Sequence, residues 1–539
     1  MARQRRPFFA FQAIDPAAKP CRVDAGDDRR ALNCSMSRKH FRLDQPRAKP
    51  APAARPTPRL AAAKPFFVQG LEALKAGDRR GGAELLAREL RDGDSSAQVL
   101  GVVFQLASHI SEIELALEAS RRLAASGSID DLAAYWSTLS SYGRDGEAAD
   151  HIKQQPSAVR DHPMVLYRLA AIATEHGRFE QAEDLFRRAI GKAPGFSAAW
   201  LSLAMIKTFG AGDPDIAEIE RLARLAREPD ARANFFYALG KVREDSHDID
   251  EAFRLYSEAG AIRRQLNPAD AEQFERDADA AIAGYTAASL RQLAPSGFEG
   301  QRSLFVTGLP RSGTTLTERI LCGHSAVVDG GEVNLFGASI LPTLGIRLEN
   351  ALAYQQRAIT QDPWGEIGRD YVRLLNMRFR TPGLVVDKSL GQSLLIGLLL
   401  HCLPEARIAW LRRSPEDVAI SCLRTPFAGG LRWTASLADI AEHMRIDDRL
   451  FVHWRALFGD RILEVPYEEL VRDPGSWAER LQSHFGLKRE AAIHKATQRG
   501  RSIKTASVGQ VLRPITTDRI GRASSFSRHL QPFRERYFG

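Results

Sequence analysis

A glycine-rich loop between an apolar run and a helix-like segment is the first part of the sequence that could do chemistry. Residues 304–321 read LFVTGLPRSGTTLTERIL. The spacing of Gly308, Gly313 and Thr315 fits the phosphate-loop pattern G-x-x-x-x-G-K-[ST], but Thr314 stands where that pattern has lysine. Because a helix start offers free N–H groups and a positive dipole, the segment predicts an anion site that lacks the usual nucleotide lysine.

Polar side chains also follow three further apolar runs with strand character. These runs lie at 383–389 (GLVVDKS), 406–415 (ARIAWLRRSP) and 461–470 (RILEVPYEEL). Helical stretches separate them, so we expect a parallel α/β sheet that binds its ligand at the carboxyl ends of the strands. The polar candidates near these ends are Glu332, Asp387, Lys388, Ser389, Arg412, Arg413, Ser421, Tyr467, Glu468 and Glu469.

Taken together, these motifs resemble the sulfotransferases that use 3′-phosphoadenosine 5′-phosphosulfate (PAPS). PRSGTTL resembles the 5′-phosphosulfate loop, LRRSPEDVAIS the 3′-phosphate motif, and GGE at 330–332 the element that carries the catalytic base. DKS, VPYEELVRDP and TASVGQVLRP resemble three further blocks, in order, over roughly residues 300–530. The whole chain is similar to bacterial TPR–sulfotransferase fusions, whose transferase half resembles tyrosylprotein sulfotransferases.

The resemblance implies that a sulfonate group passes from PAPS to a hydroxyl acceptor, with PAP as the product and without a metal ion. Glu332 would be the general base, Lys388 the cation at the bridging oxygen, and Ser507 a hydrogen-bond donor. A single 5′-phosphate has no β/γ pair, which accounts for the missing loop lysine. The donor would be held by Arg311, Ser312, Gly313, Thr314, Thr315, Arg413, Ser421, Tyr467 and Arg513.

Residues 66–292 are rich in Ala, Leu, Glu and Arg and predict a TPR-like helical repeat domain ahead of a sulfotransferase domain at 299–539. Residues 163–194 match the 34-residue tetratricopeptide (TPR) pattern. In that match Gly177 lies in the turn between two helices, and small residues let the helices approach closely. A generic stack of α-hairpins is the alternative. The solenoid would bind either a peptide or a second subunit.

The positive charge lies almost entirely in the first 65 residues, which contain 15 Lys or Arg residues and 5 Asp residues. The rest of the chain then carries about −1 of the total of +9, which argues against a nucleic-acid-binding protein. The Pro/Ala-rich composition of 45–65 predicts a disordered basic tail over 1–65. A start-site artefact and an organelle transit peptide are alternatives for this segment.

Cysteine use and hydropathy indicate a cytoplasmic protein. No apolar run reaches the roughly 18–20 residues of a membrane span. No C-x-x-C pair occurs, which predicts reduced thiols and no structural zinc. The five cysteines are Cys21, Cys34, Cys322, Cys402 and Cys422.

Arg424 is interpreted as a solvated charge.

Two other functions stay open at this point. A P-loop kinase or ATPase would require a lysine at position 314, where the chain has threonine. A TPR scaffold with a vestigial nucleotide site is the second, and the joint presence of Glu332, Lys388, Arg413 and Ser421 argues against it.

The resemblance favours tyrosine in a peptide or protein as the acceptor, held by the helical half. Carbohydrate, lipid and small-molecule hydroxyls, and the oligomeric state, stay open.

Overall fold

The computed structural model describes residues 64–427, 431–491, 493–495 and 514–539. The predictions made for the first 63 residues, for Ser507 and for Arg513 therefore lie outside the described residues. Among the residues that are described, no helix combines the length and the apolar character needed to cross a membrane.

Residues 66–290 form helices joined by short turns, as the composition predicts. In the segment that matches the repeat pattern, two helices pack over Ala170 and Ala182, which are both fully buried. Gly177 makes the turn between them with a φ of +71°, a conformation that glycine adopts without a steric cost. The helices are α1 (Phe66–Lys75), α2 (Arg79–Asp92), α3 (Ala97–His109), α4 (Ile113–Ala124), α5 (Ile129–Ser141), α6 (Asp145–Lys153), α7 (Ser157–Arg160), α8 (Pro163–Glu175), α9 (Phe179–Lys192), α10 (Ser197–Ile206), α11 (Pro214–Leu225), α12 (Pro229–Asp245), α13 (Ile249–Leu266), α14 (Ala271–Gly284) and α15 (Ala287–Leu290).

The second part of the chain is a parallel α/β structure, as predicted. Its strands, in the order β2-β3-β1-β4-β5, are all parallel to their neighbours. The elements are β1 (Ser303–Gly308), α16 (Thr314–Leu321), β2 (Val327–Asp329), α17 (Phe336–Ser339), α18 (Leu348–Arg357), α19 (Pro363–Arg378), β3 (Leu384–Asp387), α20 (Ile396–Cys402), β4 (Ile408–Arg412), α21 (Pro415–Leu423), α22 (Leu437–Phe458), β5 (Ile462–Pro466), α23 (Tyr467–Arg472), α24 (Pro474–His484) and α25 (Gln531–Tyr537).

The register of the sheet brings the predicted polar residues to one edge. Strand β1 lies between β3 and β4, with Phe305 opposite Asp387 and Gly308 opposite Leu411. The loop after β1 therefore lies between Lys388, which follows β3, and Arg412, which ends β4. The sequence predicts four of the five strands found among the described residues. It misses β2, because three residues are too few to show a strand pattern.

The carboxyl-terminal end of the helical region shares a hydrophobic core with the sheet part. Residues from α10, α12 and α13 pack in one cluster with residues from α21, α22 and the segment before α25. A Cβ atom on Gly260 would lie 2.1 Å from the backbone oxygen of Ala435, so the two backbones touch there. Further along, Tyr285 packs among Trp364 and Trp454 of the sheet part. The domain boundary that the sequence analysis places between residues 292 and 299 stays a prediction.

The amino-terminal end of the helical region is also attached to the sheet part, through buried charges. Arg79 of α2 is only 2% exposed. Its Nη1 lies 3.1 Å from Glu112 and 2.9 Å from Asp370 of α19. Arg373, also on α19, pairs with Glu112 at 2.6 Å. The helical region from α1 to α13 is therefore attached to the sheet part at two separate places, one near each of its ends.

Candidate functional site

The loop after β1 has the backbone geometry of an anion site. Gly308 ends the strand with a φ of +142°, and Gly313 precedes α16 with a φ of +108°. A Cβ atom on Gly313 would lie 2.5 Å from Cδ2 of Tyr467. Both the left-handed backbone and this close approach require glycine at position 313. The loop therefore delivers the chain directly into the start of α16, where unpaired N–H groups favour an anion.

A cavity of about 270 Å³ opens at the start of α16. It is closed on the other sides by Tyr467 and by residues 514–522. Among the described residues that line it, Asp518 is the one carboxylate against five guanidinium groups, so its field favours a multiply charged anion. The arginines are Arg311, Arg319, Arg413, Arg519 and Arg522. Of the predicted donor-binding residues, Arg311, Gly313, Thr314, Thr315, Arg413 and Tyr467 line this cavity.

Arg311 lies at the centre of the positive charge. Its Nε donates a hydrogen bond of 2.9 Å to Oγ of Ser421, so Ser421 contributes by orienting Arg311. Burial, together with the nearby Arg424, lowers the pKa of Arg311 to about 9. Burial and the neighbouring Arg522 lower the pKa of Arg519 to about 10. Crowded cations of this kind are stabilised when an anion binds between them.

Arg413 is held by three backbone or ring contacts and keeps one donor free. Its guanidinium stacks 4.5 Å above the ring of Tyr467. It donates to the backbone oxygens of Arg311 at 3.0 Å and of Arg519 at 2.6 Å. Among the described residues its buried Nε has no hydrogen-bond partner. A buried guanidinium N–H without a partner is costly, and an anion in the cavity would supply one.

Ser312 has a different role from its neighbours in the loop. It is 1% exposed, and its hydroxyl donates 2.7 Å to the backbone oxygen of Leu309. It lines a second cavity of about 250 Å³ on the other side of Arg413. In this structure Ser312 closes the loop, and its hydroxyl does not line the cationic cavity.

A second group of ionisable residues lies at the end of β3. Lys388 is completely buried, and its Nζ donates 3.2 Å to Oε1 of Glu332. The side chain of Glu332 is 39% exposed, so its carboxylate can meet a molecule that arrives from solvent. The structure thus brings two of the three predicted catalytic residues, Glu332 and Lys388, into direct contact.

Asp387 and Ser389 support this group from behind. Asp387 is fully buried and accepts hydrogen bonds from Ser389 at 2.5 Å and from Tyr371 at 2.8 Å. Burial raises the pKa of Asp387 even though both hydrogen bonds oppose the shift. Ser389 Oγ in turn accepts from the backbone N–H of Asn334 at 2.7 Å. These bonds fix the chain on either side of Lys388 and Glu332.

Comparison with known proteins finds a family to which the sheet part is similar. Residues 303–491 match the model of the sulfotransferase family. This chain is also 27% identical over 402 residues to an uncharacterized protein of Aquifex aeolicus (strain VF5), with 72% of this chain aligned. The chain spans about half, 52%, of the length of that relative.

Solved structures of sulfotransferases are also similar. The sulfotransferase domain of the Synechococcus PCC 7002 olefin synthase is 21% identical, with a TM-score of 0.30, over 43% of this chain and 91% of that domain. A sulfotransferase of Mycobacterium avium is 15% identical, with a TM-score of 0.26, over 61% of this chain and 97% of that protein.

The sequence analysis misses several polar residues of the sheet part. Asp417 is buried, pairs with Arg413 at 3.3 Å, and accepts 2.8 Å hydrogen bonds from the backbone N–H groups of Gly521 and Ala523. It therefore joins the carboxyl-terminal segment to the cavity. The i,i+4 spacing of Arg413 and Asp417 was the available sign of this pair.

Arg424 is a correction to the sequence analysis. It is not a solvated charge, because its side chain is 18% exposed and pairs with Glu244 of α12. Its partner lies 180 residues away in the chain, so no local pattern reveals the pair. Arg519 and Arg522 likewise lie in a segment without a periodic pattern.

Within the described ranges, no three His, Cys, Asp or Glu side chains are grouped so that they could hold a metal ion. The prediction of a metal-independent reaction stays a prediction. Within the described part of the chain, Cys322, Cys402 and Cys422 are buried and form no disulfide, and burial raises the pKa of the Cys422 thiol to about 12.

The contacts of Arg413 lead to a prediction for the 3′-phosphate. We expect Arg413→Ala to weaken PAPS binding about 10- to 100-fold, the value of a charge-assisted hydrogen bond, with little effect on adenosine 5′-phosphosulfate. Calorimetric titration with both nucleotides measures this. The matched control is Arg412→Ala, because Arg412 pairs with Asp448 and lines the second cavity. An equal loss for both nucleotides would show that Arg413 does not recognise the 3′-phosphate.

Proposed function

We propose that this protein is an enzyme that transfers a sulfonate group from PAPS to a hydroxyl acceptor and releases PAP. The observation that carries the proposal is the juxtaposition of two features at neighbouring strand ends. A cationic cavity lies at the start of α16, after β1. A buried lysine in contact with a partly exposed glutamate lies after β3. The first suits a phosphorylated donor, and the second suits proton transfer and charge stabilisation.

The residues of the cavity fit the two phosphate positions of the donor. The start of α16, with Thr314 and Thr315, suits the 5′-phosphosulfate, and Arg311 lies beside it. Arg413, with its unpartnered buried Nε, suits the 3′-phosphate, and Ser421 acts with it by holding Arg311. Tyr467 lines the same cavity, where its ring supports the guanidinium of Arg413. Ser507 and Arg513 belong to the proposal through their motif.

The proposed reaction is a direct displacement at sulfur. The acceptor oxygen forms a bond to sulfur while its proton passes to Glu332, and the bond between sulfur and the bridging oxygen of PAPS breaks. The electron pair of that bond leaves with the 5′-phosphate of PAP. Lys388 stabilises the negative charge that develops there, because its buried ammonium is fixed before the reaction begins.

We further propose that the helical region is a TPR-like solenoid that holds a peptide or protein acceptor, with tyrosine as the acceptor side chain, in the cytoplasm. A groove of about 490 Å³ between α11, α12 and α13 supports a peptide partner. Leu239 and Leu255 form part of its apolar floor. Arg224 and Arg232 lie on its rim, which favours an acidic segment.

The function is tested by nucleotide binding followed by transfer. In EDTA, we expect calorimetry to give a Kd for PAP about 100-fold or more below that for ATP, since ATP offers no 3′-phosphate to Arg413. Transfer of ³⁵S-sulfonate from PAPS to a panel of peptide, sugar and phenol acceptors follows. Equal affinity for ATP and PAP would support the kinase or ATPase alternative. Tight PAP binding without transfer to any acceptor would support the scaffold alternative.

A further inference from the structure

Glu318 lies on α16, two residues beyond the PRSGTTL motif, and contacts Lys388 and the residue that precedes Glu332. Its side chain is buried, with 6% of the residue exposed. Oε1 accepts a 2.7 Å hydrogen bond from the backbone N–H of Gly331. Oε2 lies 3.9 Å from Nζ of Lys388. Helix α16, whose first residues line the donor cavity, thus reaches the catalytic pair with its second turn.

The hydrogen bond to Gly331 fixes the turn from which Glu332 projects. Gly331 has a φ of +61°, and a Cβ atom on Gly330 would lie 2.2 Å from the backbone oxygen of Val386. The carbonyl oxygen of Gly331 accepts 3.0 Å from the backbone N–H of Lys388. Gly331 is therefore held by Glu318 through its N–H and by Lys388 through its carbonyl. Glu332 is the next residue in the chain.

Burial favours the neutral form of Glu318, and that form suits this arrangement. Burial raises the pKa of Glu318 well above its usual range, Lys388 opposes the shift, and Asp329 adds to it through its charge and a hydrogen bond. A neutral carboxylic acid can donate to Asp329 while it accepts from Gly331. It also leaves the ammonium group of Lys388 paired with Glu332 rather than shared between two carboxylates.

We propose that Glu318 is a positioning residue for sulfonate transfer: by holding the peptide N–H of Gly331, it places the Glu332 carboxylate against Lys388. This inference rests on the proposed function. Glu318 does not touch the acceptor or the donor in this scheme, and it acts only through the turn at Gly330 and Gly331.

The test compares Glu318→Gln with Glu318→Leu. The glutamine variant keeps a carbonyl acceptor for Gly331 and a donor for Asp329, so its kcat is expected to stay within about 3-fold of the wild type. The leucine variant leaves the Gly331 N–H without a buried partner, and its kcat is expected to fall about 10- to 100-fold. The Kd for PAP is expected to change by less than about 2-fold in both, because the cavity is unaltered.

Turnover is counted per PAP-binding molecule, so that loss of folded protein does not register as loss of kcat. If the leucine variant does not fold, Glu318→Met and Glu318→Ala replace it in the comparison. A leucine variant with wild-type kcat, or a glutamine variant that loses as much as leucine, overturns the role of Glu318 while the proposed function stands. A wild type that binds PAP and transfers no sulfonate overturns the proposed function and the positioning role together.

Discussion

Glu332→Gln is expected to lower kcat by about 10²–10⁴-fold, the usual contribution of a general base, and to leave PAP affinity nearly unchanged. In the wild type, Nζ of Lys388 donates a 3.2 Å hydrogen bond to Oε1 of Glu332. Glutamine retains an oxygen that can accept this bond. It cannot accept the proton of the acceptor hydroxyl. Since the side chain of Glu332 is 39% exposed, the change buries no new polar group. Steady-state transfer kinetics and PAP calorimetry on one preparation measure both quantities.

The alternative role for Glu332 is only to pair with Lys388. In that case Glu332→Gln would lower the melting temperature and leave turnover per folded molecule intact. Glu299→Gln is the matched control, because Glu299 is an exposed glutamate in the linker before β1. A stable Glu332→Gln variant with wild-type turnover would remove Glu332 from the mechanism.

Lys388→Met is expected to lower kcat by about 10²–10³-fold, the typical cost of removing one preorganised group from a site of developing charge. Methionine keeps the unbranched, flexible shape that fills the buried space. Donor affinity is expected to change much less than kcat, because the proposed charge on the bridging oxygen develops during bond cleavage. Single-turnover transfer from bound PAPS isolates this step from product release.

Removal of the ammonium also leaves the carboxylate of Glu332 without its ion-pair partner, 3.2 Å away, and removes the cation 3.9 Å from Glu318. We therefore expect Lys388→Met to lower the melting temperature, and turnover is referred to folded protein. Lys488→Met is the matched control, because Lys488 is exposed and only its backbone oxygen bonds to His324. Equal losses of kcat and of PAP affinity for Lys388→Met would place Lys388 in ground-state binding instead.

The sequence predicts the elements of the sheet part better than their mutual contacts. Strands β1, β3, β4 and β5 are predictable because each apolar run is long enough to be recognised and ends in polar residues. The glycine at 313 is predictable from the loop pattern. A second feature also requires glycine at this position: a Cβ atom there would lie 2.5 Å from the ring of Tyr467. This contact depends on how α23 packs against the loop, which the sequence does not show.

The residues that sequence reasoning missed act through partners that are distant in the chain. Glu318 gains its role from Gly331, and Arg424 from Glu244, which belongs to the helical region. Neither pair has a spacing that repeats with a helix or strand period, so periodicity does not reveal it. Such contacts form only when elements that are distant in the chain pack together. Residue spacing alone therefore predicts the phosphate-binding loop but not the residues that hold the site in place.

The two attachments of the helical region have a thermodynamic consequence. At one end it shares a core with α21 and α22, and at the other Arg79 bridges Glu112 and Asp370. A ligand that binds only the folded protein raises the free energy of unfolding in proportion to the logarithm of its concentration. Because neither attachment can open without exposing apolar surface or buried charge, part of that free energy also protects helices that never touch the ligand. With PAP as that ligand, as proposed above, the resistance of the first helices to proteases is expected to rise with the concentration of PAP.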